Sequence, residues 1–201
     1  MSDVTHSSDS GKGRQFVKFS FFKLDPTFLR LPDAKQRTAK LEFLSAIRSF
    51  NRRMLLRSYS LVGLRADTDC MLWQVAPTPE PFRELMTALL NTELGPHLTT
   101  PYSYLAQTKR STYLDKLDPS HDESRTVIRP GKHKYVFVYP FVKKREWYLL
   151  SKQARQGIMD EHIEVGTKYQ SVRCVTTCTL SPRPTTKKTG NPIPGPVCIS
   201  M

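Results

Sequence analysis

The spacing of apolar residues between Thr78 and Pro96 constrains the fold more than any other feature of this chain. The spacing i, i+3, i+4, i+7, i+8 puts five large apolar side chains on one face of a helix: Phe82, Leu85, Met86, Leu89 and Leu90. Thr78 can cap this helix, Pro79 suits its first position, and Gly95-Pro96 can end it. A helix with one apolar face must pack against another element, here a sheet.

The segments around this helix predict strands and one further helix. Phe16–Phe22 alternates like a strand, and Asp33 is a good N-cap for a helix that runs to about Phe50. Three more strand-like segments follow: Met54–Leu64, Cys70–Ala76 and Tyr102–Lys109. Over residues 15–114 the order is β-α-β-β-α-β, which predicts an α+β fold with a ferredoxin-like split unit. In such a unit two helices cover one face of the sheet, and the other face needs a partner.

The second half begins the same pattern again. A polar connector over residues 115–132 precedes a strand at Tyr135–Val142, and Ser151 caps a helix from Lys152 to about Val165, with Gly166 as its stop. Val172–Leu180 predicts one strand or a short strand pair. We therefore expect an incomplete second ferredoxin-like unit over residues 133–180. Residues 1–14 and a tail over residues 181–201 are expected to be disordered, the tail because it contains five prolines.

Composition and charge narrow the classes of function. The net charge is +13, from 31 basic and 18 acidic residues, and such a field attracts anions, nucleic acid and anionic lipid alike. No nucleic-acid-binding motif accompanies this charge, so we expect no nucleic-acid partner. No apolar run approaches the ~20 residues of a membrane span, so no membrane partner is expected. The N-terminus lacks a secretory pattern, and four cysteines are too few for a disulfide scaffold. We expect a cytoplasmic protein.

Two groups of residues are candidates for a functional site. His162 shares a helix face with Ile158 and Val165, so it could present a neutral ring nitrogen to a metal in a dry pocket. Spacing alone favours the alternative, a histidine satisfied by a neighbouring group. The run from Tyr139 to Tyr148 combines aromatic side chains, which can stack on a planar ligand, with cations that can neutralise carboxylates. It can equally be a strand end followed by a solvated charge run. Cys174 and Cys178 lack the further ligands of a zinc site.

Longer motifs resemble the chlorite dismutase family, which includes the bacterial coproheme decarboxylases. Two runs carry most of the resemblance: Tyr139-Pro140-Phe141-Val142-Lys143-Lys144-Arg145-Glu146-Trp147-Tyr148-Leu149-Leu150 and Met159-Asp160-Glu161-His162-Ile163-Glu164-Val165-Gly166-Thr167-Lys168-Tyr169. Gly63–Asp69 with Trp73, and Leu94–Leu98, add to it. The resemblance extends from about Phe16 to Val172 in the order of the family.

The resemblance implies a fold, a cofactor and site residues. The family fold is two facing ferredoxin-like units, the dimeric α/β-barrel type, with haem in the C-terminal unit and subunits in rings, commonly pentamers. His162 would be the proximal ligand of the haem iron, and Lys143 would belong to its hydrogen-bond network. Trp147 and Tyr148 would line the haem pocket. Tyr139 matches the tyrosine that decarboxylases oxidise. Arg173 is a candidate for the distal arginine, although the family position falls nearer Val175.

The implied function is that of a haem b-dependent oxidoreductase that converts chlorite to chloride and dioxygen. The alternative within the family is a coproheme decarboxylase or haem-dependent peroxidase that uses peroxide, with coproheme as substrate. A third reading is a truncated, non-catalytic remnant without haem, since the family segments that follow Val172 are not recognisable here. Codons permitted for Cys174 to Lys188, read in another frame, can spell family-like residues, so a frameshift is one hypothesis for this departure.

Overall fold

The computed structural model describes residues 14–108, 113, 127–128, 135–140 and 144–168, and the backbone of two later strands at 174–179 and 197–200. The strands are β1 (Phe16–Leu24), β2 (Leu55–Ser60), β3 (Cys70–Ala76), β4 (Leu98–Thr108), β5 (Phe137–Pro140), β6 (Cys174–Thr179) and β7 (Val197–Ser200). The helices are α1 (Asp33–Ser49), α2 (Glu80–Leu90), α3 (Arg145–Leu149) and α4 (Lys152–Thr167). Short 3-10 turns lie at Pro26–Arg30 and Gly95–His97.

The first four strands form an antiparallel sheet in the order β2-β3-β1-β4, with α1 between β1 and β2 and α2 between β3 and β4. This is the strand order of a ferredoxin-like split unit, so the predicted fold class is confirmed. The central strand β1 pairs with β3 from Phe16↔Ala76 to Phe22↔Cys70.

One face of this sheet packs under the two helices. Because side chains alternate along a strand, Phe22 of β1 and Leu72 of β3 point to the same side. They meet Phe43 from α1 and Leu85 from α2 in one buried cluster. Of the apolar face predicted for α2, Phe82, Leu85 and Leu89 are buried in the core and Met86 packs partly against it, whereas Leu90 is 49% exposed.

The opposite face of the sheet is also covered. Phe19 of β1 and Trp73 of β3 are buried there and stack with ring centroids 6.4 Å apart. Ile128 packs in the same cluster, together with the partly buried Val136 and Val138 from the start of the second half. Residues that follow the first unit thus provide part of the partner that its open face needs.

Local signals at the helix ends shift several predicted boundaries. Pro32, not Asp33, is the residue before α1, and Pro79, not Thr78, is the residue before α2. The second helix ends at Leu90, where Gly95 approaches so closely that a Cβ at Gly95 would lie 2.2 Å from the Leu90 carbonyl oxygen. Only glycine fits that contact.

The second half repeats the strand order of the first. The order β6-β7-β5 corresponds to β2-β3-β1, all neighbours are antiparallel, and β6 joins β4 to make one seven-stranded sheet. Within the segment 181–201, for which the sequence predicts disorder, the structure has Val197–Ser200 as strand β7 between β5 and β6. Val197, Cys198 and Ile199 follow the last proline of the tail, and such residues favour a strand. The tail residues at 181–196, and most of the N-terminus and connector, lie outside the described residues.

No helix in the described part of the chain has the length and apolar character needed to cross a membrane.

Candidate functional site

Helix α4 carries the first candidate, His162, and begins where the sequence predicts. The Ser151 side chain caps the helix by accepting a hydrogen bond from the Ala154 backbone N–H at 3.1 Å. Gly166 does not stop the helix, which continues to Thr167. His162 therefore lies inside a capped helix, and its position in the helix determines the face on which its side chain lies.

The helix face around His162 is apolar and exposed. Ile158, one turn before, and Val165, one turn after, are 48% and 49% exposed, and His162 is exposed between them. Among the described residues His162 has no hydrogen bond or ion pair. No described neighbour therefore satisfies its ring nitrogens, which was the alternative that the spacing favoured. An imidazole on an apolar strip is chemically suited to ligate a metal held in a hydrophobic ligand.

The opposite face of α4 is polar, unlike the apolar face that carries His162. Gln156 donates from Nε2 to Asp160 Oδ1 at 2.6 Å and to the Tyr113 carbonyl oxygen at 3.4 Å. A shallow, open groove of about 390 Å³ runs beside these residues, lined by Lys152, Gln153, Gln156, Gly157 and Asp160. Since a helix turns by about 100° per residue, this groove lies on the side away from His162. It is not the site to which the histidine points.

The aromatic candidates lie on the two elements before α4. Tyr139 is near the end of β5 and is 47% exposed. Trp147 and Tyr148 share the short helix α3, where Trp147 is partly buried and Tyr148 exposed. The sequence does not predict α3, because its charged start, Arg145-Glu146, is also typical of a solvated run after a strand.

The structure puts these candidates on consecutive elements without joining them to the histidine. Among the described residues no hydrogen bond or ring contact links His162 to Tyr139, Trp147 or Tyr148. Lys143 and Arg173, the remaining candidates, lie outside the described residues.

No cluster of three or more histidine, cysteine, aspartate or glutamate side chains occurs among the described residues. A haem iron needs only one side chain from the protein, because the porphyrin supplies four nitrogen ligands. A single histidine such as His162 can supply the one side-chain ligand that a haem iron needs.

Sequence reasoning missed one charged cluster at the β2–β3 connection. Arg65 donates to both carboxylate oxygens of Asp67, at 2.8 and 2.6 Å, and the Tyr102 hydroxyl donates to Asp67 Oδ2 at 2.6 Å. The Arg65 and Tyr102 hydrogen bonds hold the pKa of the Asp67 carboxyl well below its usual range, and the same contact raises the pKa of Tyr102. Arg65 is a sequence neighbour of Asp67, but Tyr102 lies 35 residues away, so its part in the cluster could not be read from the sequence. This cluster of hydrogen bonds holds the β2–β3 connection, which contains the Gly63–Asp69 motif, against β4.

Comparison with known proteins finds a matching family model and related proteins. The model of the family described as chlorite dismutase matches residues 36–181, which is more than half of the chain. The coproheme decarboxylase of Staphylococcus carnosus (strain TM300) is 29% identical over 121 residues, covering 55% of this chain and 48% of that protein. The coproheme decarboxylase of Mycolicibacterium smegmatis is 31% identical over 119 residues, covering 59% of this chain and 49% of that protein. The chain spans about half the length of these curated relatives.

Solved structures agree on the fold. A chlorite dismutase from Candidatus Nitrospira defluvii in complex with imidazole has a TM-score of 0.73 at 24% identity, covering 92% of this chain and 75% of that one. A haem-binding protein from Thermus thermophilus has a TM-score of 0.75 at 22% identity, covering 92% of this chain and 76% of that one. The predicted ferredoxin-like arrangement and the resemblance drawn from the sequence motifs are both confirmed, and the chain belongs to the chlorite dismutase family.

Proposed function

We propose that this chain binds haem through His162 and serves haem-dependent redox chemistry. The observation that carries the proposal is the exposed imidazole set between Ile158 and Val165 on the apolar strip of α4. An apolar strip with one nitrogen donor suits a large planar ligand whose metal takes one protein ligand. Family membership supports the same ligand, since a relative by fold is a haem-binding protein.

Each candidate residue then has a definite role. His162 would hold the iron at one ring nitrogen, which requires a lone pair at that atom. Ile158 and Val165 would exclude water from the ligand bond, and Trp147 and Tyr148 would line the pocket. When bound, haem supplies an iron centre that exchanges electrons or an oxygen atom with a small oxidant.

Among the reactions of the family, we propose decarboxylation of coproheme with peroxide first. Both curated relatives described above are coproheme decarboxylases. Tyr139, which would be oxidised and give up its hydroxyl proton in that reaction, is 47% exposed on β5 and so is accessible to a ligand. Lys144 and Arg145, which follow Tyr139 in the sequence by five and six residues, are exposed cations that would neutralise the propionates of coproheme.

Conversion of chlorite to chloride and dioxygen with haem b is the second candidate. The fold shared with the Nitrospira enzyme supports it, and it is the function that the sequence motifs imply first. This reaction would use an arginine to hold the anion, for which Arg173 is the candidate. By family analogy the protein would act as a homo-oligomeric ring.

Haem titration followed by absorbance tests the proposal. We expect coproheme or haem b to give a shifted Soret band with the full chain, and His162→Ala to abolish it, while Glu161→Gln on the same helix binds normally. Absence of a Soret shift in the folded parent chain would instead support a non-catalytic remnant.

Two assays on the haem-loaded protein then separate the reactions. Peroxide added to the coproheme complex should yield decarboxylated product by mass spectrometry, and Tyr139→Phe should prevent this without preventing binding. Oxygen release from chlorite, insensitive to Tyr139→Phe, would favour the second candidate.

A further inference from the structure

The face of α1 that points away from the core carries leucines among basic side chains. The core face of this helix contains the buried Ala39 and Phe43. Since a helix turns by about 100° per residue, Leu41 lies on the opposite side, with Leu44 one turn further along. Leu41 is 59% exposed and Leu44 is 44% exposed. Both leucines thus lie largely outside the core formed by the described residues.

Arginines flank the leucines along the same stripe. Arg37 lies one turn before Leu41 and Arg48 one turn after Leu44, and both are exposed. Neither arginine has an ion-pair partner among the described residues. Asp33, one turn before Arg37, makes no ion pair with it among the described residues, and Glu42 is turned aside, where its carboxylate accepts a hydrogen bond from the Glu93 backbone N–H at 3.0 Å.

The 3-10 turn before α1 carries the same two kinds of exposed side chain. Leu29 is 62% exposed, and Arg30 beside it is exposed as well. The turn is held on α1 because Gln36 Nε2 donates to the carbonyl oxygens of Leu29, at 3.3 Å, and Leu31, at 2.9 Å. We call Leu29, Arg30, Arg37, Leu41, Leu44 and Arg48 the α1 outer face.

The charge of this face indicates what covers it. Symmetric pairing of two copies through the leucines would place Arg37 and Arg48 opposite arginines in either helix direction, which is unfavourable, and the head-to-tail contacts of a ring do not pair a face with itself. Nucleic acid would meet the arginines but would leave leucines against phosphates. An anionic bilayer accepts both groups, because leucines enter the interface while arginines meet lipid phosphates.

Although the absence of a spanning run in the sequence predicts no membrane partner, we propose that the α1 outer face docks the protein peripherally on anionic lipid membranes, which needs no spanning segment. The leucines supply apolar contact and the arginines supply attraction to the headgroups. The site is separate from His162 on α4 and does not depend on haem.

Co-sedimentation with vesicles tests the proposal on the full chain. Vesicles of phosphatidylglycerol mixed with phosphatidylcholine should bind the protein, whereas pure phosphatidylcholine should not, and binding should weaken as salt rises. The double variant Arg37→Gln/Arg48→Gln should bind about thirtyfold more weakly, because each basic group near an anionic surface changes affinity about fivefold. The double variant Leu41→Ser/Leu44→Ser should also lose binding, since its charges are intact but its apolar contact is removed.

Two control variants test whether membrane binding depends on the α1 outer face in particular. Arg57→Gln, an exposed arginine on β2, and Leu90→Ser, a leucine on α2 that is 49% exposed, should bind like the parent chain. Circular dichroism checks that every variant remains folded. Equal binding by all variants, loss in the controls, unchanged binding of the leucine variant, or self-association or DNA binding that depends on the same residues would each overturn the proposal.

Discussion

Two carboxylates in the β2–β3 connection show how single residues hold this chain. Asp67 accepts from Arg65 and Tyr102, and Asp69 accepts from the Leu24 backbone N–H at 2.8 Å and from Lys23 Nζ at 2.9 Å. In both cases these hydrogen bonds lower the pKa of the carboxyl group. The bonds favour the ionised carboxylates, so they tie the connection to β1 and β4 only while the carboxylates keep their charge.

The stability of the fold should therefore fall in acid. The pKa of Asp67 is lowered on folding, so its contribution is complete above the unfolded value of about 4 and is lost as the pH falls towards the folded value. We expect Asp67→Asn to reduce this acid dependence, as measured by urea unfolding from about pH 3 to about pH 7, a range that spans the usual pKa of an aspartate. The exposed control Glu161→Gln should retain the dependence of the parent chain. A parent-like slope in Asp67→Asn would contradict the role given to this carboxylate.

At the scale of elements, the sequence predicts those whose signals are local. The apolar spacing of α2 and the serine cap of α4 both identify their helices, because such signals lie within a few residues of the element. The predicted caps, Asp33 and Thr78, each differ by one residue from the positions found in the structure. There Pro32 and Pro79 precede the two helices, and neither makes a side-chain cap hydrogen bond. Strand β7 could not be predicted: four residues after a proline-rich run gain their strand conformation from pairing with β5 and β6, which is not visible locally.

The Ser151 cap should control the order of the first turn of α4. Replacing Ser151 by Ala removes the acceptor for the Ala154 N–H, a loss of about 1 kcal/mol. Hydrogen exchange of the amides in the first turn should then accelerate about fivefold, the change that corresponds to this free energy. Ser151→Asp, which keeps an acceptor at the cap, should exchange like the parent. Unchanged exchange in Ser151→Ala would show that other contacts fix the start of the helix.

The whole molecule is organised around a sheet whose first unit is buried on both faces. The order β2-β3-β1-β4-β6-β7-β5 joins two units that share one strand pattern, and Ile128 lies against the face opposite the helices. The sequence predicts that this face needs a partner, but not which residues supply it, because the connector has no periodic pattern. The same limit applies to the site: His162 and its apolar neighbours could be read from helical spacing, whereas α3, which carries Trp147 and Tyr148, could not.

Ile128 should stabilise the molecule through this second face. It is buried, and its backbone N–H donates to Gln15 Oε1 at 2.6 Å. Ile128→Ala should lower the free energy of unfolding by about 2 to 5 kcal/mol and change the fluorescence of Trp73 in the same cluster. Val62→Ala, at a site that is 70% exposed, should change it by less than about 0.5 kcal/mol. A similar small effect in Ile128→Ala would mean that the second face is not closed by this residue.

The proposed bond between His162 and a haem iron has its own vibration in the resonance Raman spectrum of the ferrous complex. We expect an iron–histidine stretching band in the parent chain, its loss in His162→Ala, and its return when imidazole is added to that variant. The band should be unaffected in Glu161→Gln. A band that persists in His162→Ala without imidazole would contradict the claim and assign the iron to another ligand.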